Sequence, residues 1–89
     1  MNQTDAKKVS EAVRRIISET FKVKEDLIKN ESLLKDHLGL DSVDLLDIVG
    51  LAEREFKIKI LEDGSFRARW PLSVNDLIEI VKTQISKQS

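Results

Sequence analysis

Apolar residues in this chain recur with a helical period in three places. Between residues 5 and 21, Val9, Val13, Ile16, Ile17 and Phe21 fall on one side, with Ala12 beside them. Lys7, Lys8, Glu11, Arg14, Arg15 and Glu19 fall on the other side, as a solvated face. That spacing predicts an amphipathic helix, started by Thr4 or Asp5 as cap. A second stripe, Leu45, Leu46, Val49, Ala52 and Phe56, broadened by Ile48 and Leu51, predicts a helix over 42–56. A third, Val74, Leu77, Ile78, Val81 and Ile85, predicts a helix over 73–86 with Ser73 and Asp76 as a capping box. Lys87-Gln88-Ser89 is expected to fray.

The connections differ in kind. Residues 22–40 scatter Leu27, Ile28, Leu33, Leu34, Leu38 and Leu40 among polar residues, too many for a free linker. An ordered loop that lays leucines onto the helices is expected. Residues 57–72 change period. Ile58 and Ile60 alternate with Lys57 and Lys59, Glu62-Asp63-Gly64 reads as a turn, and Phe66, Ala68 and Trp70 alternate with polar residues. The expectation is a short β-hairpin at about 57–70, with Ile60 opposite Phe66, Ile58 opposite Ala68 and Phe56 opposite Trp70. In that register the apolar residues share a face, and Pro71 ends the hairpin.

Composition narrows what such a chain can do. Its 89 residues fit one domain, 1–89, with a thin core. It is 40% hydrophobic and 35% charged, as expected of a globular protein with a charged exterior. With no cysteine, there is no disulfide, thiolate metal site or cysteine nucleophile. A formal net charge of −1 does not suggest a nucleic-acid binder. No apolar run is long enough to span a membrane, and the N-terminus lacks a signal-peptide core. A cytoplasmic, monomeric protein is the default. His37, the single histidine, has no partner ligand and is expected to be an exposed loop residue, with no metal site.

The candidate chemistry gathers at Leu38-Gly39-Leu40-Asp41-Ser42-Val43-Asp44. Asp41 is a good N-cap, which places Ser42 at the first helical position, at the positive end of the helix dipole. Such an end favours a phosphate, so Ser42 is a candidate attachment point for a phosphate-linked group. Taken alone, Asp41-Ser42 reads more simply as an ordinary cap. Asp44, Asp47 and Glu53 leave the apolar stripe for Ser42's side of the helix. Dipole stabilisation explains the first two, and partner contact is the alternative. Gly50 in mid-helix costs about 1 kcal/mol against alanine. Close packing and room for a ligand are both open as reasons.

The order helix, long loop, Leu-Gly-x-Asp-Ser, helix, amphipathic helix resembles the acyl carrier protein family. The run Glu31 to Asp44, the segment Glu55-Phe56-Lys57-Ile58-Lys59-Ile60 and the segment Ser73 to Val81 carry the resemblance over nearly the whole chain. It implies an all-α, acyl-carrier-like bundle of three main helices, with the 57–70 hairpin in place of or beside the family's short third helix. It implies 4′-phosphopantetheine bound covalently on Ser42, and no catalysis by the chain itself. It implies partner contacts at Asp41, Asp44, Asp47 and Glu53, and an acyl cavity lined by Leu46, Val49, Ile60, Leu77 and Val81. It implies as partners a phosphopantetheinyl transferase and acyl-loading, transferring or condensing enzymes of fatty-acid, lipid or polyketide-type biosynthesis. A peptidyl or aminoacyl carrier and an unmodified helical adaptor are the alternatives.

The chain departs from the family pattern at Val43, where leucine is usual, and at Arg54, where an acid is common. Its near-neutral charge weakens steering by negative potential. Arg67, Arg69 and Trp70 are also unusual in their place. These departures imply a specialised carrier.

Overall fold

Val9, Val13, Ile16 and Ile17 are buried along one side of the first helix, α1 (Gln3–Phe21), as their spacing requires. The computed structural model describes residues 3–61 and 70–88. A single 3-10 turn, Glu25–Leu27, follows α1. Helix α2 runs Ser42–Phe56 and helix α3 runs Val74–Gln88. The described residues form an all-α bundle, in which α1 packs against both α2 and α3 and the last two meet less closely.

Two helix starts follow the expected chemistry. Asp41 Oδ1 accepts the Asp44 N–H (2.9 Å), and Asp44 Oδ2 accepts the Asp41 N–H (3.1 Å). Ser73 and Asp76 make the same reciprocal pair at α3, each at 3.1 Å. The start of α1 differs from expectation. Its described part runs from Gln3, so Thr4 and Asp5 already lie within the helix. The end of α3 also differs: Lys87 is still helical.

The helix ends carry no glycine. Lys22 (φ 59°) and Lys57 (φ 55°) take the left-handed conformation that ends α1 and α2. Val23 N–H then reaches Ser18 O (3.2 Å) and Ile58 N–H reaches Glu53 O (3.1 Å), closing orphan carbonyls in the way a glycine C-cap does.

The 22–41 loop is ordered, as expected, and it contributes to the core. Ile28, Leu34 and Leu40 are buried, while Leu33 and Leu38 are half-buried. Leu27 is the correction: it is 61% exposed, because the 3-10 turn points it away from the bundle. The loop is tied to the start of α3 by backbone bonds from Leu34 N–H to Leu72 O (2.9 Å), Val74 N–H to Ser32 O (2.8 Å) and Asn75 N–H to Asn30 O (2.8 Å). Arg14 holds the same loop to α1. Its guanidinium donates to Ile28 O (3.3 Å), Asn30 Oδ1 and Ser10 Oγ. Arg14 is therefore half-buried and not part of a solvated face.

After α2, Ile58 and Ile60 are buried and Lys57 and Lys59 exposed, so the alternation is real. It does not reflect a strand among the described residues. The N–H groups of 58, 60 and 61 are taken by Glu53 in the last turn of α2. Phe56 is the last residue of α2, so it makes no strand pair with Trp70. Both rings are half-buried against the core. The expected turn and second strand, residues 62–69, lie outside the described residues.

Candidate functional site

The approach to Ser42 is built by a glycine. Gly39 has φ 71°, a conformation costly for any residue with a Cβ. It reverses the chain after a helical-type turn in which Leu38 N–H donates to Leu33 O (3.2 Å) and Gly39 N–H to Lys35 O (3.2 Å). Leu40 then drops into the core, at 6% exposure, and anchors the segment. His37 is exposed, as expected. Its Nδ1 accepts the Leu33 N–H (2.8 Å), so it also stiffens this turn.

The next residue but one is Ser42, the first of α2, and it is exposed. The capping box occupies the carboxylates of Asp41 and Asp44 with backbone N–H groups. Leu45 N–H donates to Asp41 O (3.1 Å), which starts the helical ladder behind the serine. Ser42 thus presents its hydroxyl on the surface at the positive end of a 15-residue helix. Val43, 64% exposed, lies beside it. This position fits a bulky phosphodiester: Ser42 and Val43 are both exposed, and the helix end is suited to an anion.

The other expected site residues separate into groups. Asp47 is exposed one turn beyond Asp44. Glu53 points elsewhere: its Oε2 accepts the N–H groups of Ile60 (2.6 Å) and Leu61 (2.9 Å). It fastens the segment after α2 onto the helix, a role that nothing in its spacing signals. Of the five residues expected to line an acyl cavity, four come together. Val49, Leu77 and Val81 are fully buried and Ile60 is 1% exposed, all in one core cluster. Leu46 does not join them. It is 38% exposed and lines a surface groove of about 380 Å³ with Thr20, Asp47, Gly50, Leu51 and Arg54. Thr20 enters from α1, so no pattern within α2 could have identified it.

Among the described residues, no group of three or more His, Cys, Asp or Glu side chains is placed to hold a metal ion. No described helix is long and apolar enough to cross a membrane.

Comparison with known proteins agrees with this geometry. Residues 11–63 match the family model described as "Phosphopantetheine attachment site". The acyl carrier protein AcpXL of Mesorhizobium japonicum is 41% identical over 64 residues, 72% of this chain and 63% of that protein. The acyl carrier protein AcpXL of Rhizobium meliloti is 42% identical over 64 residues, 72% of this chain and 62% of that protein. The aligned part thus spans a little under two thirds of these relatives. A matched region that takes in the glycine turn, the capped helix start and the exposed serine leaves one assignment: the chain belongs to the phosphopantetheine-attachment family of carrier domains, which bear 4′-phosphopantetheine as a covalent group.

Proposed function

We propose that this chain is an acyl carrier protein whose arm is joined to Ser42 Oγ. The exposed hydroxyl of Ser42 at the first position of α2, inside the matched region, carries this reading. A phosphopantetheinyl transferase joins the arm to that oxygen from coenzyme A: Ser42 Oγ loses its proton and bonds to phosphorus, and the pyrophosphate bond breaks to release adenosine 3′,5′-bisphosphate. When bound, the group supplies a thiol on a long flexible arm, able to hold an acyl group as a thioester. This suits a chain with no thiol of its own.

The chain's own residues present and shelter that cargo and do no chemistry on it. Asp41 and Asp44 hold the helix start rigid, so the attachment oxygen has a defined position. Asp47 and the exposed edges of Asp41 and Asp44 offer negative charge to basic surfaces on the transferase and on acyl-loading or condensing enzymes. Val49, Ile60, Leu77 and Val81, buried in the core, are the residues assigned here to sheltering the acyl chain. Helices α2 and α3 meet less closely than either meets α1, so this is the seam that can part to admit an acyl chain. Residues 1–89 act as one domain, as a cytoplasmic monomer, in fatty-acid, lipid or polyketide-type biosynthesis.

The test is intact mass. Incubation with coenzyme A and a phosphopantetheinyl transferase should add one phosphopantetheine to the chain and none to Ser42→Ala. An unchanged mass across several transferases would sink the proposal.

A further inference from the structure

The antiparallel pairing of Leu33 with Ser73 holds the loop to the start of α3. It uses the N–H groups that follow these two residues, from Leu34 to Leu72 O and from Val74 to Ser32 O. The N–H groups of Leu33 and Ser73 themselves are left over, and each is taken by a side chain a few residues on. Asp76 Oδ2 accepts the Ser73 N–H (3.1 Å), and His37 Nδ1 accepts the Leu33 N–H (2.8 Å). The two acceptors differ in kind. A carboxylate accepts throughout the neutral range, whereas an imidazole nitrogen accepts only while the ring is uncharged.

The imidazole bond closes the turn that leads to Ser42. Leu33 O receives the N–H groups of His37 (3.0 Å) and Leu38 (3.2 Å), Lys35 O that of Gly39 (3.2 Å), and Leu34 O that of Leu40 (2.8 Å). Leu40 is buried and stands just before Asp41 and Ser42. With Nδ1 as acceptor, the neutral ring carries its proton on Nε2. A second proton, on Nδ1, sets donor against donor, so the bond to Leu33 is lost and its N–H turns to water. The charged groups around this turn are Lys35 and Asp36 within it, Lys29 and Glu31 on the loop before it, Asp76 at the start of α3, and Asp41 and Asp44 at the start of α2. The first four are exposed, and the carboxylates of the other three already accept backbone N–H groups. The proton on the ring itself therefore decides the bond.

We propose that His37 is a positioning residue for Ser42 whose hold depends on pH. The neutral ring fastens the 33–40 turn, and protonation frees it and slows the attachment of the arm to Ser42. The inference rests on the carrier reading and adds a regulation of the same site. Its sign follows from the acceptor role: the hold is present while the ring is neutral and is lost as pH falls through the range in which histidine gains its charge, about pH 8 to 5. A freed turn lowers the fraction of chains that present Ser42 correctly, and attachment slows with that fraction. The starts of α2 and α3 do not share the response, because carboxylates cap them.

The isotopically labelled full chain, compared at about pH 8 and about pH 5.5, tests this. Scalar coupling between the Leu33 amide nitrogen and His37 Nδ1 should be present at the higher pH and absent at the lower. Exchange of the Leu33 amide, corrected for its intrinsic rate, should speed up about tenfold. Leu38, Gly39 and Leu40 should follow, while the amides of α2 and α3 keep their protection. His37→Asn puts a carbonyl oxygen at the branch where Nδ1 stands, accepts at both pH values and should remove the response. His37→Leu should exchange fast at both. The rate of arm attachment is then taken as the ratio of the unsubstituted chain to His37→Asn, so that the pH response of the transferase cancels. That ratio should be about one at the higher pH and fall about threefold at the lower. No pH response at Leu33, the same response in His37→Asn, a parallel loss across α2 and α3, or a constant ratio of rates would overturn the proposal. The carrier reading is judged separately, by mass addition at the higher pH, where the turn is fastened. Addition there without a pH response removes only the His37 proposal, and failed addition removes the carrier.

Discussion

Glu53 lies in the α2 pattern as one more exposed acid, yet its carboxylate accepts two backbone N–H groups from residues 60 and 61. Bonds of this kind to a charged acceptor contribute about 1.5–3 kcal/mol each. Here the half-buried setting and continued access to water favour the low end. The consequence is local. Ile60 is held in the core at 1% exposure, so Glu53 supports the core through Ile60. Glu53→Ala should speed hydrogen exchange at the Ile60 and Leu61 amides by about ten- to a hundredfold, that is by about 1.4–2.8 kcal/mol of local stability. Glu53→Gln keeps a carbonyl acceptor and should recover part of the protection. Unchanged exchange in the alanine variant would show that burial of Ile60 alone holds the segment. Arg14 is a second residue of this type, with its charge directed at loop carbonyl and amide oxygens instead of solvent.

At the scale of elements, starts and stops were unequally legible. The starts of α2 and α3 are written in residue type, because Asp41 with Asp44 and Ser73 with Asp76 satisfy the first N–H groups of their helices reciprocally. The stops are not, because Lys22 and Lys57 occupy left-handed positions that glycine usually marks. A side chain there costs about 1 kcal/mol or more, partly offset by the wider freedom of glycine in the unfolded chain. Lys57→Gly is expected to stabilise the protein by about 0.5 kcal/mol in denaturant unfolding, with no change in slope. A loss of stability would mean that Lys57 makes a compensating contact. The alternation at 57–60 misled for a related reason. A short extended segment that packs over a bundle alternates in burial as a strand does, and only its hydrogen bonds tell the two apart.

At the scale of the whole molecule, the core is shared between helices and connections. Ile28, Leu34, Leu40, Ile58, Ile60 and Leu72 come from non-helical segments and are buried with the helix stripes. An 89-residue chain has a small stability margin, so each such residue counts. Leu34→Ala, in a loop, should cost about 2–4 kcal/mol, as much as a core leucine in a helix. The loss should appear in one cooperative unfolding transition that takes the helices and the loop together. A separate loop transition at lower denaturant would show that the loop is an attachment and not part of the domain.

The sequence by itself determined the three helices, because a 3.6-residue period and reciprocal caps are local physics that need no partner. Those helices and the Leu-Gly-x-Asp-Ser run were enough to indicate the carrier family and its serine. The tertiary structure decided what depends on neighbours brought together from far apart in the chain. It placed Leu46 in a surface groove and Val49, Ile60, Leu77 and Val81 in the core. It turned Glu53 and Arg14 from solvent to backbone. It showed that no described residue crowds Gly50. Burial and hydrogen bonding depend on what surrounds a side chain, and those surroundings exist only once α1, α2, α3 and their connections have packed.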